Sequence, residues 1–116
     1  MHKNRQIIFF KNYYKEYYNS LSEKIKEKID YVLFLISVAE IIPKKFLRPI
    51  AGANGLYEIR VEYESNIYRI FCCFDEGNII VLFNAFQKKS QKTPKKELEK
   101  ALHIKKEYFE YKKKEL

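Results

Sequence analysis

Glycine and proline are scarce in this chain, three of each in 116 residues, and tryptophan is absent. So few chain breakers exclude a collagen-like or linker-rich architecture and leave little room for long loops. Only two cysteines occur, Cys72 and Cys73, side by side. Neighbouring residues on a strand point to opposite faces, so a bond between them would be strained and no disulfide framework is expected. The two histidines, His2 and His103, lie far apart and there is no CxxC pair, so neither a metal nor a cofactor site suggests itself. Long apolar runs are missing too. The longest, Val32 to Ala39, is interrupted by Ser37 and falls well short of the ~18 residues of a spanning helix. The start of the chain leads only into Ile7-Ile8-Phe9-Phe10, too short for a secretory signal. The expectation is a cytoplasmic protein with no membrane partner.

Aromatic and charged residues are plentiful. Ten Tyr and nine Phe lift the hydrophobic share to 47%, enough for one modest core in a single domain over residues 1–116. Lys and Arg number 23 against 15 Asp and Glu, a net charge of +8. A small basic domain suits an anionic partner: nucleic acid, an acidic protein or a membrane surface. Residues 88–116 hold a net +6 of that excess. The densest stretch is Lys88, Lys89, Lys92, Lys95 and Lys96, with no acid among them.

Hydrophobic periodicity divides the chain. Gln6–Phe10 reads as a short strand and Asn12–Asn19 as a short helix with Tyr13, Tyr14, Tyr17 and Tyr18 on one side. Ser20 and Glu23 have the spacing of a capping box, with Ser20 as N-cap. Beyond it Leu21, Ile25, Ile29, Val32, Ile36 and Ala39 form one helical stripe. Residues 44–54, with Pro49 and Gly52, read as a loop. From Tyr57 the period becomes two: Tyr57, Ile59, Val61 and Tyr63 alternate with Glu58, Arg60 and Glu62. Strands follow at Ile67–Phe74 and Ile79–Gln87, and Thr93-Pro94 opens a last helix as N-cap and first residue, with a stripe of Leu98, Leu102 and Phe109 flanked by Ala101 and Tyr108. The order β-α-α-β-β-β-α predicts an α+β fold, a small, mainly antiparallel sheet with the first two helices on one face and a C-terminal helix.

Two-residue turns at Glu64-Ser65 and Glu76-Gly77 would put Arg60 opposite Arg69, Arg69 opposite Asn84, and Phe86 on the same face. The other face would pair Ile59 with Ile70 and Ile70 with Phe83. Like charges directly opposite destabilise a sheet. The arginine pair therefore calls for carboxylate neighbours, Glu58 and Glu62, or for an external anion. Lys95 and Lys96, in the first turn of the last helix, oppose its dipole unless an anion docks there.

Three blocks, Gly55-Leu56-Tyr57-Glu58-Ile59-Arg60, Tyr68-Arg69-Ile70 and Phe86-Gln87-Lys88-Lys89-Ser90-Gln91-Lys92-Thr93-Pro94, together resemble the RelE/ParE superfamily of toxins, nearest its phage-derived HigB-like group. The resemblance implies a RelE-like fold and the toxin of a type II toxin–antitoxin pair. Such a toxin is a metal-independent endoribonuclease that cuts messenger RNA on the ribosome through the RNA's own 2′-OH. It needs no cofactor and is held by a cognate antitoxin, expected to be of helix-turn-helix type. Carried onto this chain, Arg60, Arg69, Lys88 and Lys89 become the catalytic set. Asn84, Phe86, Lys92, Lys95 and Lys96 become RNA-binding residues, and Tyr57 and Tyr68 stand between base stacking and core. The family often has His where this chain has Asn84. The proton acceptor is then Lys88 or Lys89, Glu58, or a group of the ribosome. Two other classes stay open, a ParE-like inhibitor of DNA gyrase and a non-catalytic basic binding module.

Overall fold

The structure, a computed structural model, describes residues 4–88 and 94–115. Its elements run β1 (Gln6–Phe9), α1 (Tyr13–Asn19), α2 (Glu23–Val38), β2 (Leu47–Pro49), β3 (Tyr57–Tyr63), β4 (Asn66–Asp75), β5 (Ile79–Lys88) and α3 (Lys95–Glu115). The α+β architecture is as expected, with one strand more. The expected loop contains β2, which is too short to show a period in sequence and forms because β3 offers it a pairing edge, Leu47 opposite Ile59 and Arg48 opposite Glu58. The sheet order is β1-β5-β4-β3-β2. Among the described residues only the β1–β5 pair is parallel.

Each face of the sheet has its own core. On one, α1 and α2 place Tyr14, Ile29, Val32 and Ile36 against Ile59, Val61, Tyr68, Ile70, Cys72, Ile80 and Leu82. On the other, α3 places Ala101, Ile104 and Tyr108 against Phe71, Cys73, Val81, Phe83 and Phe86. The adjacent thiols do point to opposite faces, both free and buried. Burial pushes the Cys73 thiol up to about 12, which leaves it protonated and inert.

Several local expectations are corrected. Ser22, not Ser20, is the N-cap of α2; Ser20 instead closes α1, its hydroxyl donating to the Tyr17 carbonyl at 2.6 Å. Tyr13 leaves its neighbours and packs on the α3 side. In α3, Ile104 is buried while Leu102 is 40% exposed. Thr93, the expected cap of α3, lies outside the described residues. Among the described residues no helix is long and apolar enough to cross a membrane.

The first hairpin has the expected two-residue turn, with Arg60 opposite Arg69. The second has three residues, because Asp75 pairs with Ile79 and the Asn78 N–H folds back to the Glu76 carbonyl at 2.9 Å. A bulge then adds one residue to β5 between Leu82 and Ala85. The two shifts together move the register by two. Arg69 therefore faces Phe86 rather than Asn84, and Ile70 faces Ala85 rather than Phe83. Between turn and bulge the parity is reversed, which sends Phe83 into the α3 core.

The far end of α3 is fixed to the β4–β5 turn. The Tyr108 hydroxyl and the Lys112 ammonium both donate to Asp75 Oδ2 at 2.6 Å. Burial pushes the Asp75 carboxyl up, but Lys112 and Tyr108 outweigh it and hold it below its usual value. The unfolded carboxyl titrates near about 3.9. The contribution of this contact is therefore whole at neutral pH and is lost as pH falls through the lowered folded value. Asp75→Asn is expected to cost about 1.5–3 kcal/mol at pH 7, with the gap to wild type closing on acidification; urea melts across acid pH measure it. The first hairpin gives a second expectation. Glu64 and Ser65 sit at φ 45° and 68° without glycine or asparagine. Replacing them together, Glu64→Asn with Ser65→Gly, is expected to raise stability by about 1–2 kcal/mol in the same melts.

Candidate anion-binding site

The α3 side of the sheet carries its charges at the end where β3, β4 and β5 outrun the helix core. Strand alternation sets Glu58, Arg60 and Glu62 of β3 on this face, Arg69 of β4 beside them, and Phe86 and Lys88 of β5 beyond. Arg48 of β2 joins the row through its pairing with Glu58.

The two arginines have different surroundings. Arg69 and Glu58 are both almost wholly buried and are joined in an ion pair through Arg69 Nη1 and Glu58 Oε1. Arg60, with 21% of its side chain exposed, reaches Glu62 at 3.2 Å. The carboxylate neighbours expected from sequence are thus present. They do not satisfy the arginines, because Nε of Arg60 and Nε of Arg69 are buried with no hydrogen-bond partner among the described residues. Such donors cost free energy unless an acceptor arrives.

Lys88 closes the cluster. Its ammonium pKa is lowered, first by burial and then by Arg69, Arg60 and Arg48, with Glu58 opposing them. Four cations, Arg48, Arg60, Arg69 and Lys88, therefore face two carboxylates, Glu58 and Glu62. Among the described residues the arrangement carries two excess positive charges, and burial and the neighbouring cations lower the Lys88 pKa. It can bind an anion with several oxygens.

The other expected site residues are placed differently. Asn84, put in the arginine row by the assumed turns, sits at the bulge. Its Nδ2 donates to the carbonyl and the carboxylate of Glu97, each at 3.0 Å, pinning the first turn of α3 to β5. Phe86 is 7% exposed and lies against Phe71 with ring centroids 5.4 Å apart, so it forms the floor of the site. Tyr57 and Tyr68 belong to the core on the opposite face. Lys95 and Lys96 are exposed at the start of α3, where Lys95 approaches Glu99 at 3.9 Å. Lys89 and Lys92 lie outside the described residues. Arg48 was missed from sequence. Its only signal is the Leu47-Arg48-Pro49 alternation, which is too brief to mark a strand.

Residues 16–106 match the family described as Phage derived protein Gp49-like, and the chain belongs to that family. Its fold is shared with RelE structures. One is an E. coli toxin RelE in the free state carrying two arginine-to-alanine substitutions: TM-score 0.63, 14% identity, with 87% of this chain and 97% of that chain covered. Another is the archaeal RelE–RelB complex from Pyrococcus horikoshii OT3: TM-score 0.51, 14% identity, with 77% and 99% covered. Among curated proteins no sequence matches this chain significantly. The resemblance to RelE toxins and the expected RelE-like fold are both met.

The buried pair makes a specific forecast for stability. Arg69→Ala strands the Glu58 carboxylate in the interior and is expected to cost about 3–5 kcal/mol. The double variant Arg69→Met with Glu58→Leu is expected to recover most of that loss. Chemical denaturation of the single and double variants measures the coupling.

Proposed function

We propose that this chain is the toxin of a type II toxin–antitoxin system, of the HigB-like kind, and that it cleaves messenger RNA on the ribosome as a metal-independent endoribonuclease. The observation that carries the reading is the cationic cluster of Arg48, Arg60 and Lys88 above the buried Glu58–Arg69 pair. A phosphodiester meets the accessible ends of Arg48 and Arg60 and the Lys88 ammonium.

Cleavage by the 2′-OH requires a proton acceptor, stabilisation of the charged phosphorane, and a proton for the departing 5′-oxygen. Lys88, whose neutral form burial and the neighbouring guanidinium groups favour, takes the 2′-OH proton, and the ammonium so formed returns it to the departing 5′-oxygen. Arg60 and Arg48 grip the non-bridging oxygens. Arg69 holds Glu58 beneath them and adds its charge at short range. Lys89 joins the catalytic set from the same sequence block. Lys95 and Lys96 at the start of α3 offer further positive charge to the RNA backbone, Lys92 is assigned with them from its sequence block alone, and RNA binding then weakens steeply with salt. Asn84 holds the start of α3 through Glu97.

The archaeal RelE of like fold is in a complex with RelB, which supports a cognate antitoxin as partner here; the helix-turn-helix type of that antitoxin and the cytoplasmic location rest on the family resemblance alone. No small-molecule cofactor enters the scheme.

The test is induction of the protein followed by primer extension on translated messenger RNA, beside an assay for gyrase-dependent DNA breakage. Wild type is expected to cut messenger RNA. Arg60→Ala and Lys88→Ala are each expected to slow cutting roughly 100- to 1000-fold while keeping the wild-type melting curve. DNA breakage without RNA cleavage would replace this reading with gyrase inhibition. Neither activity, with salt-sensitive RNA binding retained, would leave a basic binding module.

A further inference from the structure

The register of β3, β4 and β5 sets two adjacent rows of side chains at the cationic end of the sheet. Arg60, Arg69 and Phe86 form one row. Glu62, Ile67 and Lys88 form the next. Residues directly opposite one another share a face, so Glu62 stands beside the arginines on the site's own face, with Ile67 between it and Lys88.

The two carboxylates of the cluster are held in opposite ways. Glu58 is almost wholly buried and committed to Arg69, which is buried with it. Parting that pair would strand a charge in the interior. Glu62 has 65% of its side chain exposed, and its Oε1 lies 3.2 Å from Arg60 Nη2. An ion pair so open to water is weak and readily exchanged. Nε of Arg60 is buried, so an anion can grip this guanidinium only through its Nη groups, and Glu62 lies against one of them.

Glu62 also has a role in the free protein. Arg60 faces Arg69 across the strands, and like charges directly opposite destabilise a sheet. Glu58 offsets the charge of Arg69, and Glu62 offsets that of Arg60. An anion bound at Arg60 would take over the second of these duties.

We propose, resting on the reading of this cluster as a phosphodiester site, that Glu62 is an internal competitor for that site: it occupies Arg60 in the free protein and yields its place to the phosphodiester, so that it sets affinity without touching the reacting atoms. Removing the competitor then acts in opposite directions on two measurable quantities. The ligand binds more tightly, because nothing has to be displaced from Arg60. The free protein becomes slightly less stable, because Arg60 and Arg69 face one another with one carboxylate fewer.

The probe is a short fluorescein-labelled single-stranded oligodeoxynucleotide, which lacks the 2′-OH and is bound without being cut. It is titrated with the whole protein and followed by anisotropy. Glu62→Gln is expected to bind it about two- to fivefold more tightly than wild type, with a slightly lower melting temperature. Glu64→Gln removes the same charge from the exposed turn two residues away and is expected to give less than half that gain. In an Arg60→Gln background the Glu62 substitution should do no more than this control. Unchanged affinity in Glu62→Gln overturns the proposal. So does an equal gain in Glu64→Gln, or a full gain that survives the loss of Arg60, since the carboxylate would then act through net charge alone. Primer extension reads cleavage separately: tight probe binding that responds to Glu62 as expected, with no RNA cut, removes the ribonuclease reading and leaves Glu62 as a competitor. Failure of wild type and variant alike to bind the probe removes the phosphodiester site, and the competitor with it.

Discussion

Glu58 and Arg69 meet in the interior, and much of the molecule is arranged around that contact. A carboxylate and a guanidinium removed from water lose several kcal/mol of hydration each, and their mutual attraction offsets it only when the geometry is fixed. Fixing it requires β3 and β4 in a single register, because a slip of one residue would send either charge into the apolar core under α1 and α2. The same register puts Ile59 opposite Ile70 on that core face and Arg60 opposite Arg69 on the other. The ion pair thus joins the packing of one face to the chemistry of the other.

The α3 helix is held at both ends by polar contacts and along its middle by apolar ones. Asn84 ties its first turn to the β5 bulge, and Asp75 receives Tyr108 and Lys112 near its last turns. Between them Ala101 and Ile104 fill the core. The helix covers the centre of the sheet and leaves open the cationic end of β3, β4 and β5, with Arg48 at its side.

Most of the architecture is legible in the sequence because it follows from local pattern. The 4-4-3-4-3 stripe of α2, the period of two in β3, and the Glu64-Ser65 turn each encode their own geometry, and the Arg60–Arg69 pairing follows from that turn by arithmetic. The placement of Asn84 and Phe83 does not. It depends on a third turn residue and on a bulge, which together move the register by two and so restore the expected face of Phe86 but not that of Phe83. Nothing local announces either, since the Asp75–Lys112–Tyr108 contact that accompanies the longer turn joins residues more than thirty positions apart.

What the sequence determined by itself is the inventory: a basic chain without a disulfide framework, elements in the order of an α+β sheet, arginines facing one another, and the motif blocks of a RelE-like family. These are properties of residue type and short-range spacing, which the chain carries before it folds. What only the tertiary structure decided is how each charge is used. Burial turned Arg69 from a free clamp into half of an interior ion pair, drew Asn84 to Glu97, sank Phe86 into the floor and brought Arg48 in from an unrecognised strand. The reason is physical. Desolvation and hydrogen-bond partnership are set by what the rest of the chain places around a group, and that is fixed only when distant segments meet.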